Sequence, residues 1–96
     1  MKHCILVKFI PEISKKIEGS FIEQIQEIFD GALEIDGVHY VKIFRCCIDR
    51  PNRYDLMIVI DMEKESLPIY DDCKIHHTWK ANFSKYIKSK AIFDYE

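Results

Sequence analysis

Apolar positions along the chain recur at two periods, and the alternation between them predicts the elements. Lys2 to Ile10 is dominated by branched and aromatic residues and stopped by Pro11, the pattern of a strand. His3, Ile5, Val7 and Phe9 share one face of it, and Cys4, Leu6, Lys8 and Ile10 the other. Both faces are largely apolar, as in a strand covered on two sides. From Ser20 to Leu33 the period changes. Phe21, Ile22, Ile25, Ile28, Phe29, Ala32 and Leu33 form one broad helical stripe, with Ser20 and Glu23 at the spacing of a capping box and Gly37 beyond as a turn signal. Val38 to Cys47 and Tyr54 to Met62 read as two further strands. The short polar turn Asp49–Arg53 joins them, so they should pair as an antiparallel hairpin. Ser66 is placed to cap a helical turn containing Leu67, Pro68 and Tyr70. A second helix is expected from near His76, with Trp79, Phe83, Tyr86 and Ile87 at helical spacing. Lys90 to Tyr95 closes the chain as a strand.

The order is β-α-β-β-α-β over residues 1–96, a single α+β domain of ferredoxin-like arrangement with a four-stranded antiparallel sheet. Helices on one face of such a sheet leave the other open. Here that other face carries Cys4, Leu6 and Ile10, with a comparable row on the third strand. An apolar face of that size calls for a cover, and a second copy of the chain related by a two-fold axis is the simplest one, making a dimeric α+β barrel.

Composition narrows the function classes. Ninety-six residues with 48% hydrophobic and 31% charged content belong to a soluble globular domain, and a net charge of −2 gives no global basic field for nucleic acid. The charge is uneven. Glu18, Glu23, Glu27, Asp30 and Glu34 accompany the first helix, and Lys74, Lys80, Lys85, Lys88 and Lys90 the C-terminal segment. No apolar run reaches the length of a membrane span and no signal-peptide pattern opens the chain, so a cytoplasmic protein is expected. Cys4, Cys46, Cys47 and Cys73 lack paired spacing. They read as reduced thiols, with Cys46 and Cys47 on opposite faces of a strand, rather than as a disulfide framework or zinc site. Glycine occurs only at 19, 31 and 37, so no loop to cradle a dinucleotide is present and no cofactor is implied.

The stretch Tyr70–Trp79 concentrates the proton-transfer chemistry: a phenol, a thiol, two imidazoles and an indole. Cys73, His76 and His77 lack a fourth metal ligand at suitable spacing, and no oxyanion-hole sequence accompanies Cys73 as a nucleophile. His77 is expected in solvent and His39 on a strand facing water.

His3 within Lys2–Phe9, the run Tyr54–Ile60, Ser66-Leu67-x-x-Tyr70, His76 six residues after that tyrosine, and the ending Ile92-Phe93-Asp94-Tyr95 together resemble the stress-responsive A/B barrel (Dabb) family over nearly the whole chain. The resemblance implies a dimeric barrel of ferredoxin-like subunits. Through the family's plant polyketide cyclases, which close a linear poly-β-ketone by intramolecular aldol condensation, it also implies a catalytic set of His76, Tyr70 and His3. Pocket-lining residues on the first helix correspond to Phe21, Ile22 and Ile25. Cys73-Lys74 stands where many members have His-Pro, so that family histidine is absent here. On this reading Ile5, Val7 and Trp79 complete the walls of a pocket for an apolar or aromatic small molecule. His76 would take a proton from a carbon between two carbonyls, Tyr70 would hydrogen-bond the enolate or hold His76, and His3 would orient the chain or support the tautomer of His76. Alternatives are a cofactor-independent monooxygenase-like enzyme, a ligand-binding or stress-associated dimer without chemistry, and a polar cluster whose three members merely satisfy one another.

Overall fold

A computed structural model describes all residues, 1–96. Four strands, β1 (Lys2–Phe9), β2 (Val38–Arg45), β3 (Leu56–Met62) and β4 (Ile87–Tyr95), form one sheet in the order β2-β3-β1-β4, every neighbouring pair antiparallel. Helices α1 (Pro11–Ser14), α2 (Gly19–Asp30), α3 (Leu67–Asp71) and α4 (Lys74–Phe83) supply the crossovers. This is the ferredoxin-like α+β arrangement expected from the periodicities, with α1 added. Proline opens α1 at a helix start, where its missing N–H is no loss.

The core lies between the sheet and the helices. The odd residues of β1 all turn into it: His3, Ile5, Val7 and Phe9 are each buried. Leu56, Ile58, Ile60 and Met62 of β3 join them, and α2 inserts Ile25 and Phe29, one turn apart, against this layer. Trp79 and Phe83, again one turn apart on α4, stack at 4.9 Å between ring centroids, and Phe29 meets Trp79 edge-on at 5.0 Å.

Several local expectations change. Ser20 does not cap α2. The helix starts at Gly19 with Glu18 as the extended cap residue, so Ser20 is already inside it and its hydroxyl makes no cap bond. Ser66 does not cap α3 either. Its backbone is already helical, and its hydroxyl donates instead to the carbonyl of Asp36 at 2.7 Å, pinning the entry of α3 to the turn before β2. The helix expected from near His76 begins at Lys74 and ends at Phe83. Tyr86 falls in a 3-10 turn, and Ile87 starts β4, which is three residues longer than the alternation alone suggested. Strand β2 stops at Arg45. Cys46 and Cys47 are therefore exposed loop residues, not opposed strand positions.

Register places the open face. Across it run Phe44, Met57, Leu6 and Ala91 in one row, and Lys42, Val59, Cys4 and Phe93 in the next. Phe44 and Phe93 are large apolar side chains left about half exposed or more, at 48% and 63%.

Candidate functional site

His3, Tyr70 and His76 arrive in one place from three elements. Strand alternation sends His3 to the helix side of β1, where it is 4% exposed. Tyr70 sits in the last turn of α3 and is fully buried. Its carbonyl accepts the Cys73 N–H at 3.1 Å, which folds the chain tightly from α3 into α4 and sets His76 in the first turn of the latter. Lys74 occupies the first helical position here, and α4 forms without the proline common in the resembling family. The Tyr70 ring meets both imidazoles edge-on, with centroids 5.4 Å from His3 and 5.6 Å from His76.

A cavity of about 240 Å³ opens beside this cluster. His3, His76, Asp71, Lys90 and Asp94 are its polar lining, and Ile5, Leu67, Trp79 and Ile92 its apolar walls. Of the expected catalytic set, His3 and His76 line it, whereas Tyr70 is fully buried behind them and does not; of the expected wall residues, Ile5 and Trp79 are there. Val7 and Ile25 are not, because both are fully buried in the core packing. Phe21 lines a separate groove between α2 and α4, and Ile22 packs against the core without reaching either space. The helical stripe on α2 is broad because it holds the sheet.

Asp94 is the member that sequence reasoning missed. His3 Nδ1 lies 2.5 Å from its Oδ1, across the β1–β4 pairing. With the carboxylate accepting, Nδ1 carries the hydrogen and Nε2 remains for another partner. The available signal was a carboxylate inside the otherwise apolar run Ala91–Tyr95. Lys90, Asp71, Leu67 and Ile92 entered the lining without any sequence signal, since strand register and helix rotation decide which of them face the cavity.

Two polar atoms in this cluster are buried with no protein hydrogen-bond partner: Tyr70 Oη and His76 Nδ1. Burial pushes the Tyr70 phenol well above its ordinary range, with Cys73 and Asp71 adding to the effect, so it remains a donor. Burial lowers the pKa of His76, and Lys80 and Lys90 lower it further against the opposing pull of Asp71. The imidazole is therefore neutral at pH 7 and able to accept a proton. His77 and His39 are exposed, and His39 pairs with Glu63 at 3.1 Å on the surface. No group of three or more His, Cys, Asp or Glu side chains is arranged to hold a metal ion, and no helix is long and apolar enough to cross a membrane.

No family model and no curated protein sequence matches the chain. Solved structures do. A Dabb family protein with a ferredoxin-like fold from Mesorhizobium loti superposes with a TM-score of 0.70 at 14% identity, over 99% of this chain and 93% of that one. A dimeric ferredoxin-like protein of unknown function from Thermobifida fusca gives 0.72 at 14%, over 96% and 85%. A protein assigned to antibiotic biosynthesis monooxygenases, from Nitrosomonas europaea, gives 0.73 at 10%, over 98% and 86%. The class defined by these likenesses is the ferredoxin-like fold, and a stress-responsive A/B barrel protein shares it, as the sequence resemblance implies.

Proposed function

We propose that the protein is a homodimer whose cavity beside α3 and α4 takes a small apolar or aromatic carbonyl compound and moves a proton on it. The observation that carries this reading is the convergence of two imidazoles, His76 and the Asp94-held His3, on the lining of that cavity, with the Tyr70 ring packed edge-on against both from behind. Neutral His76 takes a proton from a carbon flanked by two carbonyls. Tyr70, buried behind the lining, packs its ring edge-on against both imidazoles and holds His76 in place. His3, oriented by Asp94, positions the second carbonyl. In a cyclase the enolate carbon then attacks a distal carbonyl of the same chain. A carbon–carbon bond forms, and the new alkoxide oxygen recovers the proton from His76. A cavity of about 240 Å³ lies below the usual 300–1,000 Å³ range and suits a single ring or a short chain.

The dimer is part of this proposal. The open apolar face needs cover, and solved structures of this fold include proteins described as dimeric.

Ethyl acetoacetate in deuterated buffer tests the proton step. The protein should accelerate exchange of the hydrogens between the two carbonyls, followed by NMR, and His76→Ala should abolish the acceleration while affinity stays within about tenfold, roughly 1.4 kcal/mol. Binding with no accelerated exchange in the wild-type protein leaves a binding protein. Neither binding nor exchange removes the site.

A further inference from the structure

A second concavity lies at the opposite end of β1, about 20 Å from His3 at strand rise. It is a cleft of about 540 Å³ between the end of β1, α1, the β2–β3 loop and the start of β4. Lys8, Lys15, Arg45, Arg50, Arg53 and Lys88 line it, drawn from separate segments of the chain. They are six of the 14 lysines and arginines in a protein of net charge −2, so the rest of the surface is acidic.

Only two carboxylates share the cleft, and one is already engaged. Asp55 accepts from the Phe9 N–H at 2.9 Å and the Ser14 hydroxyl at 2.7 Å, and pairs with Lys8 at 3.5 Å. The other five cations make no ion pair, and of them only Arg53 has a side-chain partner, donating from Nη1 to the Asn52 Oδ1 at 2.6 Å. Bringing five unpaired cations around one concavity raises the electrostatic energy of the fold, and an anion entering there relieves it. The loop that carries Arg50 and Arg53 is held in shape by its own backbone bonds, Cys46 N–H to Asp55 and Arg53 N–H to Arg50.

We infer that this cleft binds a small molecule carrying two or more phosphate groups. Three guanidiniums offer forked donors that match phosphate oxygens, and the three ammonium groups add point charge. The volume exceeds what a single phosphate fills, and the cations line more than one wall. A polymer is disfavoured because the protein outside the cleft carries net negative charge, which opposes a long polyanion more than a small one.

The site is independent of the proton-transfer cavity, and its test does not depend on that activity. Calorimetric titration at low salt with inorganic pyrophosphate, orthophosphate and a single-stranded DNA oligonucleotide separates the sources of phosphate. Pyrophosphate should bind at least tenfold more tightly than orthophosphate and more tightly than the oligonucleotide, and should shift the backbone NMR signals of the loop from Cys46 to Arg53. The triple variant Lys15→Gln, Arg50→Gln, Lys88→Gln alters three exposed side chains, and circular dichroism should show it folded. Its pyrophosphate affinity should fall at least tenfold. Absence of pyrophosphate binding, equal affinity in the folded triple variant, or preference for orthophosphate or the oligonucleotide overturns the inference.

Discussion

Tyr70 separates function from stability at the scale of one residue. Its hydroxyl is buried with no protein hydrogen-bond partner, so removing it takes away a desolvated group and no protein hydrogen bond. Tyr70→Phe should leave the melting temperature unchanged or raise it, by up to about 1–3 kcal/mol in stability, and should lower the exchange rate less than His76→Ala does, because the ring packed against both imidazoles stays. Thermal melts beside kinetics check this, and a destabilised Tyr70→Phe protein would show that the hydroxyl has a structural partner. His76 makes a pH prediction. Its folded pKa lies below the ordinary 6.5, so below that pH the unfolded chain takes up a proton that the folded one resists. The contribution of His76 is therefore full above 6.5, declines as pH falls from 6.5 towards the depressed folded value, and is constant below it. The wild-type protein should lose stability over that interval relative to His76→Gln, and equilibrium unfolding at a series of pH values measures the difference. Activity that needs neutral His76 should survive to lower pH than an ordinary histidine allows.

At the scale of elements, Gly37 is the position where backbone freedom is required. Its φ of +91° is the only positive value in the chain, and an added Cβ would collide with the Ser66 hydroxyl oxygen while crowding the Glu63 side chain. That hydroxyl ties α3 to the turn through the Asp36 carbonyl, so the collision falls on the bond that seats Tyr70. Gly37→Ala should cost at least about 1–3 kcal/mol, visible in denaturant unfolding, and should loosen the cavity as well. Gly31 plays a different part. It lets the end of α2 approach the start of α4, where an added Cβ would strike the Ile75 side chain, and that flexible tip can yield. Gly31→Ala should be the milder of the two changes in the same unfolding series.

For the whole molecule the decisive surface is the open sheet face. Leu6 sits at the middle of its apolar row, between Met57 on β3 and Ala91 on β4. In a dimer closed over this face, Leu6→Lys buries an ammonium without a partner, which costs several kcal/mol. The variant should elute as a monomer or unfold, whereas the wild-type protein should remain dimeric at micromolar concentration by light scattering.

Local pattern alone determined the four strands, the two main helices and the fold class of this chain, though not α1 or the ends of the elements. The two periods are physical consequences of strand and helix geometry, and apolar residues such as Ile5, Val7, Ile25 and Phe29 fall on the core side wherever that geometry holds. The alternation of β1 likewise determined that His3 points where Ile5 and Val7 point. Tertiary structure decided the rest. Asp94 reaches His3 only because β4 pairs with β1 in one particular register, a relation between residues 91 positions apart that no local period contains. Lys90 and Ile92 enter the cavity by the same register, and Phe21, Ile22 and Ile25 stay out of it because the rotation of α2 spends its apolar stripe on the sheet and on the groove beside α4. The basic cleft escaped the sequence for a related reason. Lys8, Arg50 and Lys88 are far apart along the chain, and only the end of the folded sheet brings their charges together.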